Sequence, residues 1–486
     1  MSTITLADQY FSQGQFKKAE QVYKQLLAIN KADLNALFGL GQVALALNSF
    51  QQAYNLFVRC LSVDANQPAI YLALATTCKK LMRIEKAEQA LLAAYQLNKT
   101  LVTTLVELAA FYCEQGMFDK SEYYLSELQS LEPDNIQAFS LLVRMQKINI
   151  NESPYKELTA QMLESLSADT QQLSNKDKAN LSYSFAELYH RAKQYDVAFK
   201  YFDEANKTQL VEINFRVEEM KPFFKSITNV FDHKLLNNHP NGIGNDSFKE
   251  KLTPIFIVGQ PRSGSTLLEQ LLVQHSEIST GGELSFMAED IANGLYQLTG
   301  KEFPFACQQI NDKHKSLLRG HYLKQLQTIV PEEKYVIDKM PSNYQSIGLI
   351  KQLMPHAKII HIKRNKVDVG WSIFRNNFAA PEPYFCSLTE IAEYQKQYEI
   401  IMQHWQNVMP EFILDINYED LVENPEIEIS KVLQFCQLDF QAQCSTLSNN
   451  ANLISTLSDV QLRQGIKKTG NSSWQHYKQY LTPILS

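Results

Sequence analysis

"IFIVGQPRSGSTLLEQLL", residues 255–272, decides how this chain is read. Four β-forming residues run into a Gly/Ser turn, and a leucine-rich segment of helical spacing comes next. This order predicts a phosphate-binding loop between a strand and a helix. Backbone N–H groups around Gly264, with the hydroxyls of Ser263, Ser265 and Thr266, can cradle an anion at the helix N-terminus. Arg262 adds a charge-assisted donor. A nucleoside-triphosphatase loop places Lys before its last Ser/Thr. Here Gly264 is followed directly by Ser265 and Thr266. A Gly/Ser turn also serves as plain helix-start structure, so the loop must be weighed with the other strand ends.

After a turn-rich linker, "NNHPNGIGNDSF" at 237–248, apolar strand-like runs alternate with helical ones. They are "TPIFIVG" from 253, "YVIDK" from 335, "AKIIHIK" from 357 and "FILDINY" from 412. Near-continuous apolar strands separated by helices predict a parallel sheet covered on both faces. Ligands of such sheets bind at the carboxyl ends of the strands. There the second run presents Lys339, which can supply the charge that the loop lacks. The neighbouring Asp338 offers a rival reading as the metal-holding Asp of a nucleoside triphosphatase. The absent loop lysine counts against that rival. The third run ends at Arg364, with Ser372 eight residues later on a predicted helix. Together they can grip one phosphate. Two anion sites on one surface suit a nucleotide with phosphates on its 5′ and 3′ sides.

The first half is repetitive. Ala19, Ala53, Ala87 and Ser121 stand 34 residues apart, as do Leu6, Leu40, Leu74 and Leu108. Ala7, Gly41, Ala75 and Ala109 form a third row, and Phe16, Phe50, Ile84 and Phe118 a fourth. Each unit reads as two helices. Small residues allow close approach, Phe16 and Tyr23 fill the space between them, and Gly14 and Gly116 mark turns. This pattern resembles the tetratricopeptide repeat (TPR), a solenoid with a concave binding face. The rows themselves are core packing. A weaker unit, "FAELYHRAKQYDVAFKYFDEAN" at 185–206, places Phe185, Ala186, Tyr195, Ala198 and Phe202 at similar offsets. It would cap the solenoid and dock it to the second half of the chain. The stretch "NINESPYKELTAQM" between them loses the register and reads as helical but atypical.

Composition sets outer limits. A net charge of −6, from 46 basic and 52 acidic residues, does not describe a general nucleic-acid binder. No window approaches the roughly 20 apolar residues of a membrane span. The N-terminal residues lack the pattern of a signal peptide. A cytoplasmic location is therefore expected. Seven scattered cysteines without a C-x-x-C pair indicate neither a zinc site nor a disulfide framework.

Taken together, residues 250–486 resemble the sulfotransferases that use 3′-phosphoadenylyl sulfate (PAPS), most closely the protein-tyrosine sulfotransferases. "PRSGST" looks like their 5′-phosphosulfate loop, and Arg364 with Ser372 like their 3′-phosphate pair. "NYEDLVENPE" at 417–426 looks like the segment that sets an aromatic, here Tyr418, near the adenine. "STLSDVQ" at 455–461, followed by Trp474, looks like the segment that closes over the cofactor. The whole chain is similar to bacterial sulfotransferases with fused TPR units.

The resemblance implies an order of domains. A TPR α-solenoid of four repeats spans 3–148. An atypical helical region with a degenerate TPR-like unit spans 149–236. A P-loop-like α/β sulfotransferase domain with a central parallel sheet spans 250–486. It implies PAPS as sulfuryl donor, adenosine 3′,5′-bisphosphate as product and no required metal. Glu283, in "HSEISTGGELSFM", would be the catalytic base, assisted by Lys339, Arg262 and Ser458. A solvated helix-start carboxylate is the structural alternative for Glu283. His275 is the rival base, although its place near a helix end suggests capping. Cofactor contacts would come from Arg262, Ser263, Gly264, Ser265, Thr266, Arg364, Ser372, Tyr418, Gln461, Lys467 and Lys468. The chain departs from the family at Ser473, where a lysine precedes the tryptophan in relatives, and at Gln464 and Gly465, where they have Lys-Pro. Asn376 stands where they carry Arg, with Arg375 one residue earlier. Lys467 or Lys468 would compensate in the closing segment.

The expected acceptor is a hydroxyl of a peptide tyrosine, a glycan or a small molecule. A protein or peptide partner is expected on the TPR concave face. The competing functions are a nucleoside-triphosphate kinase and a non-catalytic nucleotide-binding adaptor.

Overall fold

A computed structural model describes residues 3–81, 83–150, 155–167, 173–210, 215–237, 252–330, 334–378, 382–447 and 473–485. The chain forms two compact units, Met1–Lys147 and Ile148–Ser486.

In the first unit, α1 (Thr3–Ser12) and α2 (Phe16–Ile29) form a hairpin. It is repeated by α3 (Leu34–Ala46) with α4 (Phe50–Val63), α5 (Pro68–Lys80) with α6 (Ile84–Leu97), and α7 (Val102–Glu114) with α8 (Phe118–Leu131). A further helix, α9 (Ile136–Arg144), comes after them. The second helices begin at Phe16, Phe50, Ile84 and Phe118, the row seen in the sequence. Ala7, Ala19, Ala53 and Ala87 have no exposed surface. Ser121 replaces Ala in the fourth unit and donates its buried hydroxyl to Ala109 O (2.7 Å). Three of the hairpin turns use a left-handed residue. Gly14, Asn48 and Gly116 supply it at φ 71°, 55° and 68°. Asn48 has the same role as the glycines because Asn tolerates this conformation better than most residues.

The second unit opens with α10 (Lys156–Ser167) and the hairpin α11 (Asn175–Arg191)–α12 (Tyr195–Leu210), then α13 (Lys221–Val230) and α14 (His233–Asn237). Its sheet comprises β1 (Thr253–Gly259), β2 (Ile278–Thr280), β3 (Tyr335–Asp338), β4 (Lys358–Lys363) and β5 (Ile413–Asn417). All pairings are parallel, in the order β2-β3-β1-β4-β5. Around the sheet run α15 (Ser265–Leu272), α16 (Ala292–Thr299), α17 (Asp312–Ile329), α18 (Ile347–Leu353), α19 (Lys366–Phe374), α20 (Leu388–Val408), α21 (Tyr418–Glu423) and α22 (Pro425–Cys436).

Residues of β1 alternate between two cores. Ile255 and Ile257 pack with α15 and α22, whereas Phe256 and Val258 face α17, α18 and α20. This two-sided burial explains the unbroken apolar run. The four strands expected from the sequence are present. β2 went unseen there because three residues carry no readable period.

The α11–α12 hairpin is part of the second unit's core. Phe202 and Ala198 share a cluster with Trp371 of α19. Phe199 stacks on Tyr480 with centroids 4.0 Å apart. Buried Asn206 accepts from Tyr183 Oη (2.9 Å) and donates to Phe374 O (2.8 Å). Among the described residues, no helix is long and apolar enough to cross a membrane.

Candidate active site

The loop after β1 turns sharply because two of its residues take left-handed backbone, Arg262 (φ 68°) and Gly264 (φ 103°). Gly264 has a second constraint besides its φ. A Cβ on it would lie 2.2 Å from Tyr418 Cδ2. Helix α15 starts at once with Ser265 and Thr266, both largely buried. Ser263 Oγ is buried and has no hydrogen-bond partner. A donor-rich turn at a helix start, with an unsatisfied hydroxyl inside it, is suited to an anion.

The end of β4 reaches the same loop. Arg262 Nε donates to Ser372 Oγ on α19 (3.0 Å). Arg364 Nη1 donates to Arg262 O (3.1 Å), and its guanidinium lies 4.4 Å from the centroid of the Tyr418 ring. Arg364 Nη2 stands 3.9 Å from Asp368 Oδ1. Arg262, Gly264, Arg364, Ser372 and Tyr418 therefore come together from three strand ends. They form one cationic surface with an aromatic wall.

The third component lies beside β3. Lys339 comes directly after that strand, and its side chain is 2% exposed. Its Nζ donates to Glu283 Oε1 and stands 3.8 Å from Glu269 Oε2. Glu283 is half in solvent, at 49%, whereas Glu269 is buried at 6%. The turn carrying Glu283 is clamped on both sides. Gly282 N donates to Thr280 Oγ1 (2.9 Å), and Lys339 N donates to Gly282 O (2.9 Å). Thr280 Oγ1 in turn donates to Glu269 Oε1 (2.5 Å). Burial pushes the Glu269 carboxyl above its usual range, opposed by Lys339 and the Thr280 hydrogen bond, with the Glu283 charge adding to the rise. Chemically, an exposed carboxylate beside a buried ammonium can take a proton while the cation faces an anion.

Two rival residues are engaged elsewhere. Asp338 is fully buried, accepting from Tyr322 Oη (2.7 Å) and Asn343 Nδ2 (3.2 Å). Burial pushes its carboxyl up to about 7. Its side chain thus serves as a hydrogen-bond acceptor inside the domain. His275 has both ring nitrogens in use. Nδ1 accepts from Glu277 N (3.1 Å), so the neutral ring carries its proton on Nε2, 3.0 Å from Asp439 O. This ties down the end of α15.

Arg375, one residue before Asn376, is engaged by Glu187 and Ser473. Its Nη2 pairs with Glu187 of α11 (2.6 Å), and its Nη1 donates to Ser473 Oγ (3.3 Å). Asn376 Nδ2 donates to Ser372 O (2.6 Å), steadying the turn that holds the serine. Ser458, Gln461, Gln464, Gly465, Lys467 and Lys468 lie outside the described residues. Sequence reasoning missed Glu269 and Thr280. A signal was present: Glu269 is the one charged residue in "STLLEQLL", a helix buried along its whole length.

Residues 254–442 match the sulfotransferase family, and residues 10–76 match the tetratricopeptide repeat. An uncharacterized protein of Aquifex aeolicus (strain VF5) is 28% identical over 389 residues, covering 78% of this chain and 49% of the relative. Protein-tyrosine sulfotransferase 2 of Gallus gallus is 22% identical over 195 residues, covering 39% of this chain and 52% of the relative. The chain thus spans about half the length of these two relatives. The solved sulfotransferase domain of the Synechococcus PCC 7002 olefin synthase is 20% identical. It covers 47% of this chain and 94% of its own, with a TM-score of 0.31. By these matches the chain carries a TPR region followed by a domain of the sulfotransferase family.

Proposed function

We propose that this protein is a PAPS-dependent sulfotransferase whose repeat region, residues 3–148, recruits the acceptor or a protein partner. Residues 149–236 would form an atypical helical region with a degenerate TPR-like unit, and 250–486 the catalytic domain. The observation that carries this reading is the direct link between two anion-binding elements. Arg262 of the loop donates to Ser372, while Arg364 donates back to the loop at Arg262 O.

The residues present fit the cofactor. The orphaned Ser263 hydroxyl and the N–H groups of the Gly264 turn would receive the 5′ anion. Arg364 and Ser372 would receive the 3′-phosphate, and Tyr418 would flank the base. Ser265 and Thr266 complete the loop. When bound, PAPS supplies a sulfuryl group for transfer to a hydroxyl. Glu283 would accept the proton of that hydroxyl. Lys339 and Arg262 would offset negative charge at the reacting end, in the role fixed donors play wherever charge develops. Ser458 is proposed to assist them, and Gln461, Lys467 and Lys468 to complete closure over the nucleotide. The seven cysteines are all buried and outside disulfides, in keeping with a reducing cytosol.

Calorimetric titration with adenosine 3′,5′-bisphosphate tests the reading, in parallel with Arg364→Ala and with ATP plus magnesium. Tight binding that Arg364→Ala abolishes is expected. Binding of ATP instead, with none of the bisphosphate, would overturn it in favour of a kinase.

A further inference from the structure

Among the described residues two carboxylates stand within ion-pair distance of Lys339, and the proposed chemistry uses only one. Glu283 approaches from the solvent side, and Glu269 from inside α15. Glu269 also reaches the backbone of the base-bearing turn, because Thr280 donates to it and accepts from Gly282 N. One buried side chain therefore stands within ion-pair distance of the lysine and steadies the residue next to Glu283.

A buried ammonium needs a counter-charge to stay protonated. Glu283 provides one only while it is ionised. Once it takes a proton from a hydroxyl it is neutral, and its pull on Lys339 is gone. Glu269 stays 3.8 Å from the ammonium. The Lys339 charge and the Thr280 hydrogen bond both favour the ionised form of Glu269 against its burial.

We propose that Glu269 is the positioning residue of this site, the standing counter-ion that holds Lys339 as a placed ammonium while Glu283 turns to an acceptor hydroxyl. The acceptor hydroxyl rests on the transferase reading above. The exchange of counter-ion rests on the geometry of the three side chains. The proton passes from the hydroxyl oxygen to a Glu283 oxygen, and Lys339 keeps its own.

Glu269→Gln tests this because it keeps the shape and the acceptor for Thr280 while removing the charge. In ligand-free protein, cyanate reacts only with neutral amines. Carbamylation of Lys339, followed by peptide mass spectrometry with exposed Lys334 as reference, should run about tenfold faster in Glu269→Gln. Glu269→Asp, which keeps the charge, should fall between Glu269→Gln and wild type. With donor and acceptor present, kcat of Glu269→Gln should fall by about tenfold or more, as for a misplaced catalytic group. Its affinity for adenosine 3′,5′-bisphosphate should hold or tighten, since the site has lost a negative charge. A merely structural role would weaken both together. Lys339 labelling unchanged from wild type, including none in either protein, would overturn the proposal. So would equal losses of kcat and bisphosphate affinity. Faster labelling in Glu269→Gln, with a wild type that transfers no sulfuryl group, would remove the transferase reading and keep the counter-ion assignment.

Discussion

The Tyr418 ring lies against Gly264 so closely that a Cβ on the glycine would come within 2.2 Å of the ring. Arg364 lies over the same ring, 4.4 Å from its centroid. The loop, the β4 end and the β5 end are thereby locked to one another through a single aromatic side chain.

Gly264→Ala therefore meets two obstacles, left-handed backbone and the Tyr418 ring. The backbone alone costs about 1–3 kcal/mol. A lowered Tm and loss of bisphosphate binding are expected. Adding Tyr418→Ala should recover part of the stability but not the binding. Bisphosphate affinity in Gly264→Ala equal to wild type would refute the role assigned to this contact.

Ser263→Ala should move stability and binding in opposite directions. The buried Ser263 hydroxyl has no partner, and such a group costs about 1–3 kcal/mol. Its removal should leave the ligand-free Tm equal or higher. The same change removes a donor from the proposed anion cradle, so bisphosphate affinity should fall about tenfold, as for one lost hydrogen bond. Calorimetry and thermal denaturation on one preparation check both.

Glu283→Gln should lower kcat by about 10²–10⁴-fold, the usual contribution of a general base. Bisphosphate binding should persist, because Glu283 stands beside Lys339 rather than in the loop. Equal loss of turnover and binding would remove Glu283 from the role of base.

Asp338 makes stability depend on pH. Its carboxyl titrates near 3.8 when unfolded and about 7 when folded. Between those values the folded state holds a proton that the unfolded state has lost, so stability is full below the lower value and declines as pH rises through the upper one. Asp338→Asn keeps hydrogen-bonding capacity at Tyr322 and Asn343 without the titration. Its Tm should decline less than the wild type's between pH 4 and 8. Parallel Tm profiles would contradict the raised value.

Asn206→Ala should destabilise the second unit by about 2–3 kcal/mol, because it strands the Tyr183 hydroxyl and Phe374 carbonyl as buried polar groups. Urea unfolding of the two proteins measures this directly. A difference below about 0.5 kcal/mol, the range of neutral surface changes, would mean that water replaces the amide.

Much of the architecture was legible because it is written in local periods. The 34-residue rows give the second helices of the repeats, and those helices start in register at Phe16, Phe50, Ile84 and Phe118. The strand–loop–helix at 255–272 and the eight-residue interval from Arg364 to Ser372 are likewise short-range patterns. Their residue types carry the expectation of an anion site. Other features depend on which segments the sheet order and helix packing bring together. Lys339 meets Glu269 and Glu283 because β3 lies between β1 and β2, which places the start of α15 and the turn after β2 around one strand end. Arg375 turns to Glu187, 188 residues earlier, because the tertiary fold brings the residue after α19 to α11. Asp338 and Lys339 are adjacent in the chain yet have different surroundings. The strand's side-chain alternation ends at Asp338, whose carboxylate is held in the core, while the lysine side chain reaches the carboxylates at the strand end. Local spacing could propose these residues for one site. Only long-range packing decided their partners, because a hydrogen bond or an ion pair depends on distances that sequence spacing does not specify.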